Sequence, residues 1–241
     1  MATGAPVIGI MMLDCPQIDV PGCSQSDSTY RFAIKRRVVK GASVAQMTSG
    51  SRELLAPVLE TARELEREGV DAIMGDCGFM ALFQRELQAQ ASVPVFASSL
   101  LLVPLVAQLL PQGRRVGILT YRANTLSEAH FNGAGWSSEQ IPVAVAGVDE
   151  QSAWRLFLTP GYPFQSEERE RQLLMVSRRL VAQYPDLGAL VLECTIMPPF
   201  ARKLQAEIHL PIFDITMLAS LVAQSLSRCA FEKQHRSCGI S

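Results

Sequence analysis

The chain has 241 residues, nearly half of them apolar and about a fifth charged, with a formal net charge of -1. That is enough chain for one large core or two smaller ones, and the balance is ordinary for a globular protein. It excludes the charge surplus of a nucleic-acid or anionic-membrane binder, and the sparse aromatics are not interleaved with basic residues as a base-stacking surface requires.

The opening, MATGAPVIGIMMLDCP, carries no basic leader and runs straight into an apolar segment. It reads as a first strand at 7–13, not as a signal peptide. A polar stretch at 24–37 has no counterpart later in the chain and reads as an insertion beside the first strand end, where a lid would sit. Helical periodicity follows at 51–68, an apolar run at 72–75 reads as a strand, and a helix is expected at 80–90. The longest apolar run, 93–110, is interrupted by Pro94, Ser98, Ser99, Pro104 and Gln108. It is too broken for a membrane span and divides into a strand at 93–97 and a helix at 101–110. The rhythm then repeats: strand 116–120, a proline- and glycine-containing loop at 157–165, helix 167–183, strand 189–192, helix 199–208, strand 211–215 and helix 217–230. The tail HRSCGIS reads as a mobile end. Apolar strands alternating with amphipathic helices predict an α/β protein with doubly wound parallel sheets.

The second half restates the first. With Cys77 set against Cys194, CGFMALFQRELQAQASVPVFASS faces CTIMPPFARKLQAEIHLPIFDIT, and nine of the twenty-three positions are identical. An acidic residue precedes each cysteine, Asp76 and Glu193, and LVAQ occurs at 105–108 and again at 221–224. Each half opens on a strand with Gly-Ile, at Gly9 and Gly117. Shared rhythm explains matched apolar residues but not matched Arg, Gln and Cys, so the chain reads as two pseudo-symmetric α/β lobes. The expected division is 1–98 plus 213–241 for one lobe and 99–212 for the other. Ligands of open parallel sheets bind at the carboxyl ends of the strands. Cys77 and Cys194 each stand where a strand gives way to a helix, which predicts that both face one cleft between the lobes.

Two like thiols on opposite sides of one carbon suit a particular chemistry. One takes a proton next to a carboxylate while the other returns one from the far face. A helix amino end beside each sulfur is expected to favour the thiolate, whereas Asp76 and Glu193 would oppose it if they point inward. Cys15, Cys23, Cys229 and Cys238 do not recur between the halves and read as core thiols. No CxxC pair, His/Cys cluster, phosphate-cradling glycine motif or pyridoxal-phosphate motif stands out, so no metal or organic cofactor is expected. The composition reads as cytoplasmic, with free thiols.

The fragments GDCGFMALFQ and LECTIMPPFA, each after a strand, resemble the two cysteine motifs of the aspartate/glutamate (hydantoin) racemase superfamily. That superfamily also includes arylmalonate decarboxylases and maleate isomerases. The opening VIGIMMLD and the mid-chain VGILTYRANTLS look like its other strand-end motifs, so the likeness runs along essentially the whole chain. It implies a two-lobe fold, no cofactor, a small-molecule carboxylate substrate and frequently a homodimer. Carried over by motif, Cys77 and Cys194 form the catalytic pair. The backbone at Gly78 and Phe79, together with Thr195, contributes to substrate binding, with Asp14, Thr120 and Thr125 at the cleft. The sequence departs from the amino-acid racemases at two places. Gly78-Phe79 stands where Asn-Thr is common, and Ile196 where a polar residue is common. Phe79, Ile196 and Met197 point to a more apolar pocket or to packing. The resulting expectation is a cofactor-independent racemase or epimerase, with a decarboxylase or cis-trans isomerase as the alternative and a small-acid binding protein as the non-enzymatic one. Ser98 and Ser99 are expected to cap the next helix, His130 to pack, and Arg122 to occupy the place that Asp14 has in the other half.

Overall fold

The computed structural model describes residues 5–155 and 166–228. The loop expected at 157–165, the end of the last expected helix, Cys229, Cys238 and the tail from His235 lie outside the described residues. The strands are β1 (Val7–Met12), β2 (Ala33–Val38), β3 (Ala72–Gly75), β4 (Val95–Phe96), β5 (Arg115–Thr120), β6 (Val143–Gly147), β7 (Leu187–Leu192) and β8 (Ile212–Phe213). They form two four-stranded sheets of identical order, β2-β1-β3-β4 and β6-β5-β7-β8, and every pairing is parallel. The internal repeat is therefore visible as topology.

The helices are α1 (Val44–Thr48), α2 (Leu55–Arg67), α3 (Gln84–Gln90), α4 (Val103–Leu109), α5 (Glu128–Gly133), α6 (Ser152–Arg155), α7 (Ser166–Gln183), α8 (Ala201–Ile208) and α9 (Ile215–Leu226). They cover the sheets, which is why the central strands are apolar on both faces: β1, β3, β5 and β7 are almost wholly buried. In α2, Val58, Leu59, Ala62 and Leu65 recur at helical spacing and turn one face onto β1 and β2. Asp214 starts α9 by accepting hydrogen bonds from the N–H groups of Thr216 (2.8 Å) and Met217 (3.2 Å). This last helix does not stay with β8, which feeds it. Its buried residues Ile215, Leu218 and Ala219 join the core built on the first sheet, and it packs on β3.

Two strands escape sequence reading. The polar stretch at 24–37 is not an unmatched insertion: most of β2 lies in it, and β2 holds the same sheet position as β6 in the other half. Its Lys35, Arg36 and Arg37 hide a strand because an edge strand tolerates, and uses, charge. The segment ahead of β2, with a 3-10 turn at Asp27–Thr29, sends the buried Ser24 and Gln25 inward. The second missed strand, β6, is a short Val/Ala/Gly run of low strand propensity. Three helices expected after strands begin instead as 3-10 turns, Gly78–Phe83, Ser99–Leu102 and Pro198–Phe200. Among the described residues no helix is long and apolar enough to cross a membrane.

Candidate active site

Cys77 ends the segment that leaves β3, and Cys194 follows β7, its counterpart in the other sheet. Asp76 N–H donates to Met11 O (2.9 Å) and Glu193 N–H to Leu119 O (2.8 Å), so each acid is still anchored to the neighbouring central strand. The chain then breaks away and exposes the cysteine at the strand's carboxyl end. Both thiols line one cavity between the lobes, with Leu13, Cys15, Ile18, Gln25, Tyr121 and others as its walls. Cys77, Cys194, Gly78, Phe79, Thr195 and Ile196 all line this cavity. Asp14 is exposed and is not among the lining residues; Cys15, its neighbour, is. Thr120 and Thr125 are not among them either. The Thr120 hydroxyl instead donates to Glu193 Oε2 at 2.6 Å, beneath the cavity wall.

The surroundings of the two sulfurs match. Each accepts a hydrogen bond from the backbone N–H two residues on, Phe79 for Cys77 and Ile196 for Cys194. This assistance favours the thiolate but does not win. Burial comes first and pushes both thiols well above their ordinary range, and the Glu193 charge adds to it in both cases. The expected helix-end activation is thus outweighed, and both groups rest as neutral thiols. Cys15, a third thiol in the wall, is raised to about 11, chiefly by burial.

The two acids that precede the cysteines do point inward, and their environments differ. Asp76 accepts from the Ser24 hydroxyl and, at 2.7 Å, from the Gln25 amide, one on each oxygen. Burial raises it to about 6 against the pull of these donors. Glu193 accepts from Thr120 and from the Tyr121 N–H, but its Oε1 is buried with no hydrogen-bond partner. Burial raises it to about 7. That free oxygen lies against the α-carbon of Gly78, where any Cβ would overlap it. The departure from Asn-Thr at this place has a physical reason: Glu193 occupies the space a side chain at Gly78 would need. A cross-lobe tie fixes the approach, since the Thr195 hydroxyl donates to Asp76 O (2.7 Å) and Ser24 N–H donates to Thr195 O (3.2 Å).

The remaining sequence candidates fall into supporting roles. Ser98 accepts from Leu100 N–H and caps the next turn, whereas Ser99 reaches across to Leu192 O at 2.8 Å. His130 is buried, sits edge-on to Phe79, and is tied to Ser127 at the start of α5. Arg122 pairs with Asp149 and does not line the cavity. Met197 is fully buried and packs, while Phe79 and Ile196 do both. Among the described residues no group of three or more His, Cys, Asp and Glu is arranged to hold a metal ion.

The family model described as "Asp/Glu/Hydantoin racemase" matches residues 34–221 of this chain. The chain belongs to that family. Within the Asp/Glu/hydantoin racemase family, sequence similarity leads to lyases. The chain is 26% identical over 220 residues to a dimethylsulfoniopropionate lyase of Durusdinium sp. clade D, covering 88% of this chain and 72% of the relative. It is 24% identical to dimethylsulfoniopropionate lyase 3 of Emiliania huxleyi, covering 94% of this chain but only 61% of that protein. In fold it is similar to allantoin racemase from Klebsiella pneumoniae, with a TM-score of 0.60 and 18% identity over 92% of this chain and 87% of the other.

Proposed function

We propose that this family member is a cofactor-independent enzyme that moves a proton at the carbon next to a carboxylate, with Cys77 and Cys194 as its acid-base pair. One observation carries the reading: two thiols at equivalent strand ends of the two lobes line one cavity, each accepting an N–H from the residue two positions on. The substrate carboxylate is held by the backbone N–H groups of Gly78 and Thr195, while the Phe79 N–H serves the Cys77 sulfur. The Thr195 hydroxyl proton is already committed to Asp76 O, so its amide is the group available. One cysteine enters the cycle as thiolate, its proton released to bulk solvent as the substrate binds, and takes the α-proton; the opposite thiol returns its own proton to the other face. The symmetry supports racemisation or epimerisation.

A second reading has its own support. The relatives that the chain matches along most of its length are named as lyases of a sulfonium-bearing propionate. The same α-proton removal becomes a β-elimination when the β-carbon bears a good leaving group: the electron pair of the C–H bond forms the double bond and the leaving group departs with its own pair. The test is one incubation of each candidate acid in heavy water followed by proton NMR. Loss of the α-signal with change of configuration supports racemisation, and an acrylate signal supports elimination. Neither exchange nor product across amino acids, hydantoins and dimethylsulfoniopropionate would defeat both.

A further inference from the structure

We infer that Glu193 is the specificity-determining residue of this cavity and that its unpartnered carboxylate oxygen receives a positively charged group of the substrate. The inference rests on the reading above only for where the substrate carboxylate lies.

The observations are these. Glu193 is 1% exposed, lines the cavity, and has Oε2 fixed by the Thr120 hydroxyl at 2.6 Å. The other oxygen, Oε1, has no partner. A buried acceptor with no donor costs free energy, and an uncompensated buried charge costs more. Its position is not accidental, because the facing residue is Gly78 and the space a side chain would fill is given to the carboxylate. Among the described residues that line the cavity none is Lys or Arg. Asp76, the equivalent acid of the other half, is different in kind, since Ser24 and Gln25 occupy both of its oxygens. The duplicated site is therefore broken at one point, where an acid in the cavity wall keeps a buried oxygen without a partner.

A cation seated there has a second effect. The Glu193 charge opposes ionisation of Cys77 and of Cys194 alike. A substrate cation that neutralises it removes that opposition, so the thiolate forms more easily with the right substrate bound than in the empty cavity. Recognition and activation are then one event. A sulfonium or quaternary ammonium group meets the requirement through charge alone, and an α-ammonium group through charge plus a hydrogen bond.

Two non-reacting shape analogues separate charge from size: 3-(trimethylammonio)propanoate and its uncharged isostere 4,4-dimethylpentanoate. Each is titrated as a protector of the cysteines against iodoacetamide, with labelling at Cys77 and Cys194 read by mass spectrometry. The parent should bind the charged analogue roughly 10- to 100-fold more tightly than the neutral one, the range of a buried hydrogen bond or contact to a charged group. E193Q keeps an acceptor for Thr120 and should lose that preference, and its cysteines should alkylate faster without ligand because the opposing charge is gone. Equal binding of the two analogues by the parent protein overturns the inference without recourse to any variant, as does a preference that survives in E193Q. The outcome is independent of turnover. Cation preference without reaction on any substrate would defeat the acid-base reading and leave this one standing, whereas turnover with no cation preference would do the reverse.

Discussion

Replacing Gly78 by alanine isolates the contact on which the site is built. Gly78 begins a 3-10 turn and is not among the glycines with positive φ, so its backbone asks nothing that alanine cannot provide. On propensity alone the change should stabilise by up to about 1 kcal/mol. The added Cβ, however, would overlap Glu193 Oε1 and the Glu193 carbonyl oxygen and lie 2.5 Å from Glu193 Cδ. The side chain can swing aside only by giving up Thr120, and the carbonyl belongs to the backbone at the end of β7. Overpacking of a closed contact costs about 1–3 kcal/mol, and a backbone atom puts this case near the top of that range. A net loss of roughly 2 kcal/mol corresponds to a Tm fall of about 4–8 °C for a chain of this size. Thermal unfolding followed by circular dichroism measures it. The double variant Gly78→Ala/Glu193→Ala should behave as less than the sum of its parts, because two of the three overlaps vanish. A Gly78→Ala protein that melts with the parent would show that the lobes do not close as described, and the account of Glu193 would lose its geometric basis.

Cys77→Ser and Cys194→Ser should each abolish racemisation, with losses of at least ~10²–10⁴-fold, and should exchange the α-protons of opposite enantiomers in heavy water; an elimination would depend mainly on one of them. Glu193 titrates higher in the folded chain, at about 7, than its ordinary 4.5, so the folded state binds the extra proton. The resulting stability is present below pH ~4.5 and is lost as pH rises through about 7, a change of about 3 kcal/mol. Urea titrations across that window should be flatter by about this amount in Glu193→Gln. Ser24→Ala removes a donor to Asp76, which is raised to about 6, and should destabilise by roughly 1–2 kcal/mol, more at pH 8 than at pH 5 because only the ionised carboxylate needs the lost bond. Equal losses at both pH values would contradict that assignment.

Much of this protein could be read from residue order. The matched cysteine segments announced the duplication, and apolar strands alternating with helices announced parallel sheets covered on both faces. The pairing of Cys77 with Cys194 followed, because equivalent strand ends of two similar lobes meet at one cleft. Other features depend on neighbours distant in the chain. Lys35 to Arg37 hid β2, since charge on an edge strand looks like a loop until the adjoining strand is known. Ser24 and Gln25 gave no sign that they serve Asp76, which lies more than fifty residues on. Asp14 and Cys15 show the same limit, because a strand fixes alternation but not which residue past its end turns inward. The sequence shows two acids in matched positions. Only the folding of the first lobe brings Ser24 and Gln25 to Asp76, and only the packing of one lobe on the other sets Glu193 against a glycine with an oxygen unpartnered, because hydrogen-bond partners are set by distance in space.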